Sequence, residues 1–254
     1  MRKFYLFILI QFALASHFVL SNIRCSNPDA GKIPITTSSE KARGYYQNGQ
    51  SLEDQYKFTE AEDFFHKAVA EDSSFASAYL KLYFYTANFS EANEHLNRAL
   101  ELADGVSEGE GLSIYASDNF RAGNNSKAME LYAQAADLYP GDYRIHALLG
   151  SLYRGQQEYE KSIEYCQKAM KISPNYGESY NTVGYTLAAL ERFDEAKDAF
   201  EKYIELAPNL ANSYDSYASL LLAMGDYDES INQYQKALIL DPYFRPSHIG
   251  IATN

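Results

Sequence analysis

Histidine and cysteine are the residues of this chain whose chemistry could support catalysis or metal binding. The five histidines are His17, His66, His95, His146 and His248, and the two cysteines are Cys25 and Cys166. Metal sites and activated nucleophiles need such residues in close spacing or beside an acid–base partner, and these residues do not show that spacing. Cys166 stands at an apolar-periodic position, which favours a buried, inert thiol. The sequence therefore predicts no enzyme, no metal site and no cofactor.

Three arginines offer a different chemistry, the recognition of carboxylates. Arg121, Arg144 and Arg154 lie in the middle of a chain with a net charge of −12. A guanidinium binds a carboxylate with a planar, two-pronged geometry, so an acidic peptide or a chain terminus would suit them. The same arginines could instead pair with local acids such as Glu110 or Glu178. The acidic balance of the chain argues against nucleic acid as a partner.

The segments that carry these residues repeat along the chain. Six similar copies begin at Phe58, Phe89, Asn125, Tyr159, Phe193 and Tyr227. The first two steps are 31 and 36 residues, and the last three are 34 residues each. A fixed period of this length is typical of stacked helical repeats, in which each unit buries its apolar face against its neighbours.

Each copy has the pattern of a short helix. A capping residue stands second in most copies, as at Ser90 and Asp228, and it predicts the helix start. Small and large apolar residues then alternate at helical spacing, as in Ala196 and Phe200. Four copies stop at a proline, since proline cannot continue a helix. A second apolar-periodic segment precedes each copy, so the unit is a pair of antiparallel helices.

The repeat resembles the tetratricopeptide repeat. The family's pattern of aromatic, Leu, Gly and aromatic residues followed by Ala, aromatic and Pro is matched by Tyr180, Val183, Gly184, Leu187, Ala196, Phe200 and Pro208. The resemblance implies an all-α, right-handed solenoid of about six helix-turn-helix repeats with a short C-terminal cap. We predict a signal peptide at residues 1–24, a polar linker at 25–41 and a C-terminal cap at 245–254. The six repeats are predicted at 42–75, 76–108, 109–142, 143–176, 177–210 and 211–244.

In tetratricopeptide proteins the first helices of the repeats line a concave groove that binds peptides or helices. Residues three or four positions apart share a helix face, and the face opposite the core columns predicts the groove residues. They are Arg43, Tyr46 and Gln50; Ser77, Leu80 and Phe84; Glu110, Ser113, Ser117 and Phe120; Arg144, Ala147, Ser151 and Arg154; Glu178, Asn181, Tyr185 and Ala188; and Asn212, Asp215, Ser219 and Leu222.

Within this face we expect the partner site at a smaller set of residues. The candidate site consists of Arg121, Arg144, Ser151, Arg154, Asn181, Tyr185 and Asp215. The arginines would converge on an acidic ligand, while Asn181 and Tyr185 would hold an extended backbone by hydrogen bonding and stacking. The second repeat is irregular, because Tyr83 replaces the Gly or Ala of other copies and three residues are missing before Phe89. This irregularity indicates either a repacked contact between repeats or a partner-binding site.

The N-terminus has the layout of a secretory signal. Arg2 and Lys3 precede an apolar run from Phe4 to Leu20, and Cys25 follows. This resembles a bacterial lipoprotein, in which the signal is cleaved before a lipid-bearing Cys, although Arg24 replaces the usual small residue. Ordinary secretion and an uncleaved anchor are the alternatives. We expect an exported, non-catalytic adaptor, tethered to the cell envelope through Cys25 or soluble in the periplasm, that helps envelope assembly. The alternative is an accessory docking subunit of an enzyme.

Overall fold

The computed structural model describes residues 31–253. Thirteen α-helices and one short 3-10 turn fill this part of the chain, and no described residue lies in a strand. The helices are α1 (Glu40–Glu53), α2 (Phe58–Glu71), α3 (Ala76–Tyr85), α4 (Phe89–Leu102), α5 (Glu108–Arg121), α6 (Asn125–Leu138), α7 (Tyr143–Gly155), α8 (Tyr159–Ile172), α9 (Gly177–Ala189), α10 (Phe193–Leu206), α11 (Ala211–Met224), α12 (Tyr227–Leu240) and α13 (Arg245–Thr253).

These helices form six consecutive pairs, from α1–α2 to α11–α12. The two helices of each pair pack against each other, and each pair packs against the next. Helix α13 packs against α11 and α12 at the C-terminal end. The predicted all-α solenoid of helix pairs with a short C-terminal cap is confirmed. The pairs are named repeats 1 to 6 below.

The second helix of each pair begins two residues earlier than a cap at the second position of each copy predicts. Helices α4 and α12, for example, begin at Phe89 and Tyr227. Asn88 caps α4 by accepting from the backbone N–H of Ser90, so Ser90 itself lies in the first turn. Asp228 likewise lies in the first turn of α12. An acidic residue is favourable there because the helix dipole is positive at its N-terminus, which explains the pattern without a capping bond.

The core repeats one close contact between the helices of a pair. A glycine on the first helix faces a large side chain on the second. A Cβ added to Gly49 would lie only 2.5 Å from Phe65, and one added to Gly184 only 2.7 Å from Phe200, so a larger residue would clash at either position. Both phenylalanines are fully buried. Cys166 takes the same position against Gly150. The helices of these three pairs can therefore approach closely, as the small residues of the repeat predict.

The second repeat is shortened at its first helix. Helix α3 has 10 residues, whereas the first helices of the other repeats have 13 or 14. Tyr83 and Phe84, near its end, lie with ring centroids 5.0 Å apart. The three residues missing from the sequence before Phe89 are thus taken from this helix and the turn that follows it.

Candidate functional site

Four side chains from α7 and α9 form a polar cluster on the predicted groove face. Helix α7 contributes Arg154 near its C-terminus, and α9 contributes Glu178, Asn181 and Tyr185. The spacings of three and four residues place the last three on one face of α9. The guanidinium carbon of Arg154 lies 5.5 Å from the ring centroid of Tyr185. Three predicted site residues are therefore brought together, beside a carboxylate.

Two atoms of this cluster are buried without a hydrogen-bond partner. They are the Oδ1 atom of Asn181 and the Nε atom of Arg154, and the Asn181 side chain is only 9 % exposed. Buried polar atoms are nearly always satisfied, by protein or by an ordered molecule. An amide acceptor and a guanidinium donor next to an aromatic ring can together bind an extended peptide backbone and one carboxylate.

Burial raises the pKa of Glu178 above its usual value, while the nearby Asn181 amide and Arg154 guanidinium partly oppose the shift. Desolvation destabilises the ionised form, and nearby donors stabilise it. A carboxylate in this position disfavours a second one beside it. The cluster consequently suits a ligand with a polar backbone and a single acidic group at Arg154, rather than a highly acidic segment.

Asp215 and Tyr185 continue this surface onto α11. The Tyr185 hydroxyl donates to Ser216 Oγ at 3.1 Å. Asp215 is 6 % exposed, and its Oδ1 atom accepts from Ser247 Oγ of α13 at 2.7 Å. Burial raises the pKa of Asp215, and the bond from Ser247 opposes this shift. Asp215 thus attaches the C-terminal helix to the sixth repeat.

Arg144 is held by a residue of the first repeat. Its Nη2 atom lies 2.7 Å from Asp54 Oδ2, and the hydroxyl of Tyr143 donates to the same oxygen at 2.7 Å. Of the two sequence hypotheses for this arginine, the structure shows pairing with an acid, although neither Glu110 nor Glu178 supplies it. The partner is ninety positions away in the chain, so only the three-dimensional fold could identify it.

Arg121 also has partners within the protein. It forms an ion pair with Asp118, and its Nη1 atom donates to Asn97 Oδ1 of α4 at 2.7 Å. Ser151 is half-buried on α7. Arg121 therefore contacts Asp118 and Asn97, Arg144 contacts Asp54, and Arg154 contacts Tyr185. The three arginines do not converge on one point.

Two predicted groove residues, Tyr46 and Ala147, belong to the core. Tyr46 of α1 is buried, with its ring centroid 5.5 Å from that of Phe65 and 5.0 Å from that of Phe75. In the first repeat α1 packs against both α2 and the loop before α3. A residue on the expected groove face therefore turns out to be covered.

A segment that sequence analysis assigns to a polar linker lies against the repeats. Residues 31–37, called the N-terminal arm below, contact the junctions between repeats and reach Asp142, Glu110 and Asp72. Arg43, a predicted groove residue, donates to the carbonyl oxygens of Ile35 and Thr37 at 2.7 and 3.0 Å. The alternating Ile33, Pro34 and Ile35 are the signal that could have indicated an extended, half-buried segment.

The irregular second repeat contributes to an apolar pocket of about 190 Å³. Its lining residues are Tyr83, Phe84, Ser117, Phe120, Tyr132, Leu148 and Leu152. The hydroxyls of Ser117 and Tyr132 lie 2.8 Å apart at its floor. The aromatic pair of the second repeat therefore forms one wall of a pocket shared with the third and fourth repeats.

The described residues offer little for redox or metal chemistry. Burial raises the pKa of the Cys166 thiol to about 12, so the thiolate is scarce at neutral pH. Among residues 31–253 we find no group of three His, Cys, Asp or Glu side chains arranged to hold a metal ion. None of the described helices is long and apolar enough to cross a membrane. Cys25, the predicted lipid site, lies outside the described residues.

Comparison with known proteins agrees with this architecture. Models of the tetratricopeptide repeat match residues 143–209 and 211–244. A search of curated proteins found no match. A chain in the crystal structure of the APC/C hetero-tetramer Cut9–Hcn1 superposes with a TM-score of 0.63 at 19 % identity, over 84 % of this chain and 42 % of that one. The crystal structure of a MamA protein gives a TM-score of 0.46 at 19 % identity, over 80 % and 93 % of the two chains.

This chain spans less than half of the Cut9–Hcn1 chain that it matches, and an identity of 19 % shows the fold alone. The family models match the regular repeats 4 to 6, where the period is 34 residues. Tetratricopeptide repeats generally serve as non-catalytic scaffolds that bind proteins or peptides. Residues 143–209 and 211–244 therefore consist of tetratricopeptide repeats, and the six helix pairs give the rest of the described chain the same solenoid fold.

Proposed function

We propose that this protein is a non-catalytic adaptor that binds an extended segment of a protein partner along Arg154, Asn181 and Tyr185. The observation that carries the proposal is the pair of buried, unpartnered atoms, Asn181 Oδ1 and Arg154 Nε. In the partner's presence Asn181 would accept from a backbone N–H, Tyr185 would pack against the chain, and Arg154 would meet one carboxylate. Arg121 and Arg144 take no part, since both have partners in the protein.

Cross-linking from the native membrane fraction tests this proposal. A photoreactive residue at Ser151, beside the cluster, would capture partners in the wild type and in the variant Arg154→Ala, Asn181→Ala. A matched control, Arg192→Ala and Asn232→Ala, removes the same residue types from exposed contacts with Glu195 and Glu229. We expect the groove variant to lose at least tenfold of the capture and the control to lose none. Equal capture by folded groove variant and wild type would refute the site.

We further propose that the adaptor is exported and attached to a membrane through a lipid on Cys25, where it helps assemble an envelope complex. The basic and apolar start of the sequence supports export, and the position of Cys25 supports lipidation.

Mass spectrometry of the protein purified from its own cells tests the attachment. We expect a mature N-terminus at Cys25 that carries acyl chains. A retained Met1 or an unmodified Cys25 would contradict lipidation, and cleavage at another residue would indicate secretion without an anchor.

A further inference from the structure

The N-terminal arm crosses the solenoid in an extended conformation, in the direction opposite to the order of the repeats. The Gly31 carbonyl accepts from the backbone N–H of Gly141, in the turn between α6 and α7. The backbone N–H of Ile33 donates to Asp142 Oδ2 at 3.2 Å, and that of Thr36 donates to Glu110 Oε1 of repeat 3 at 3.0 Å. Hydrogen bonds to the main chain are a common way in which proteins hold extended peptides.

The Thr36 side chain fits a subsite with both a donor and an acceptor. Its hydroxyl donates to Glu110 Oε2 at 2.5 Å and accepts from the backbone N–H of Ser107 at 3.1 Å. Glu110 is only 3 % exposed. A single hydroxyl oxygen supplies both functions and valine supplies neither, so this subsite selects threonine or serine over valine.

The residues before Thr36 fill apolar contacts on either side of a proline. Ile33 lies against Gly109, where a Cβ would meet its Cγ1 atom at 3.0 Å. Ile35 packs against the buried cluster of the first repeat. Pro34 has no N–H to leave unpaired, and its carbonyl accepts from the Ser107 hydroxyl at 3.1 Å. This surface therefore binds a segment with the sequence pattern apolar, Pro, apolar, Thr.

The arm lies on a preformed surface and is itself shallow. No residue from 31 to 39 is fully buried, whereas Glu110 beneath them is. Without the arm, the Glu110 carboxylate keeps Ser77 Oγ at 2.6 Å and the backbone N–H of Ser107 at 3.1 Å. The Glu110 carboxylate therefore keeps two hydrogen-bond partners of its own and does not depend on the arm to be satisfied.

We propose that the surface formed by Ser107, Glu110 and Asp142 is a second peptide-binding site, which takes extended segments of the pattern apolar–Pro–apolar–Thr and holds residues 31–37 as its exchangeable occupant. The arm has an effective concentration of about millimolar because it is tethered. A partner segment enters only when the arm is released. This site is separate from the cluster of Arg154 and Asn181, so the inference does not depend on the proposed function.

Peptide titration of the full-length chain tests the site. The probe is a fluorescent synthetic peptide of residues 30–40, and the arm is dislodged by Ile33→Asp and Thr36→Val, which leave Ser107, Glu110 and Asp142 intact. We expect saturable binding to this variant, at least tenfold tighter than to the wild type. Adding Glu110→Gln to the variant, or Thr36→Val to the peptide, should weaken binding at least tenfold. A folded variant that binds no peptide, or binds it no better than wild type does, overturns the proposal.

Hydrogen exchange of the unmodified full-length chain gives a second measurement that needs no variant. We expect the amides of Ile33 and Thr36 to exchange at least tenfold faster than the central amides of α5 and α7, because release of the arm does not require unfolding of the helices. Exchange of the arm at the same rate as these helices would show that it opens only on global unfolding, and would overturn the exchangeable role.

Discussion

Glu110 and Glu178 occupy equivalent positions two repeat periods apart, yet their surroundings differ. Glu110 accepts from Ser77, from Ser107 and from Thr36 of the arm. Glu178 lies beside Asn181 and Arg154, and its pKa is raised by burial. In the N-terminal half the chain itself provides a ligand for the repeat surface. In the C-terminal half the same surface keeps unpartnered polar atoms, which is where an external partner is expected.

The two halves also differ in how far they follow the repeat. Repeats 4 to 6 keep the 34-residue period and match the family models. The N-terminal half has a shortened α3 and a turn after α1 that reaches distant helices. Asp54 in this turn binds Arg144, and the Tyr56 ring lies 6.0 Å from that of Tyr203 in α10. The irregular half is thus held by contacts across the superhelix as well as by stacking.

The largest expected effect tests whether the halves share one cooperative core. Phe65→Ala and Phe200→Ala each remove a fully buried ring that packs on a glycine. We expect each to lower the free energy of unfolding by about 3–5 kcal/mol, in a single urea transition followed by circular dichroism, because Asp54 and Tyr56 couple the halves. Two separate transitions in either variant would show that repeats 1 to 3 and 4 to 6 unfold independently.

The next prediction concerns the carboxylate that the arm covers. Glu110→Ala removes the acceptor for the buried Ser77 hydroxyl and for the half-buried backbone N–H of Ser107, and we expect a loss of about 2 kcal/mol in the free energy of unfolding. Glu108→Ala, at an exposed position of the same helix, is the control and should change little. Equal losses in the two variants would remove the contrast drawn between Glu110 and Glu178.

A smaller effect is expected at the end of α11. Gly225 adopts a φ of 81° there, a left-handed conformation that is costly for residues with a Cβ. We expect Gly225→Ala to lower the free energy of unfolding by about 1 kcal/mol. Gly105→Ala serves as the control, since Gly105 has no positive φ and open space around it. A neutral Gly225→Ala would show that the regular repeats do not depend on this turn.

The smallest effect is a pH dependence at Glu178. Its folded pKa lies above the ordinary value of 4.5, so the folded state holds the proton more tightly than the unfolded state. This group's contribution to stability therefore falls as the pH rises from 4.5 through the folded pKa. We expect the Glu178→Gln variant not to show this decrease. Its melting temperature relative to wild type should therefore increase from pH 4 to pH 7.

The exposed Glu191 is the matched control for this measurement, because Glu191→Gln also removes a carboxylate from the C-terminal half. We expect its melting temperature to follow that of wild type across the same pH range. A pH-independent difference between Glu178→Gln and wild type would contradict the account of Glu178 as a carboxyl that is costly to ionise.

Much of the fold could be predicted because it follows local rules. Helix pairs, the positions of Phe65, Cys166 and Phe200 in the core, and the stops before proline all depend on residues within one period. The grouping of Arg154, Asn181 and Tyr185 was also predictable, since adjacent first helices stack in register. The predicted helix starts were two residues late, because an acidic residue in the first turn resembles a cap in sequence.

The sequence by itself determined the repeat, its helix pairs and the face that each helix presents, since these are set by spacings of three, four and thirty-four residues. Only the tertiary structure decided which side chains of that face stay available. Arg144 donates to Asp54, which is 90 residues away in the chain, and Thr36 donates to Glu110, which is 74 residues away. Such contacts depend on the curvature accumulated over several repeats, to which each interface adds a small rotation. The pattern of residues within one repeat does not contain this accumulated curvature.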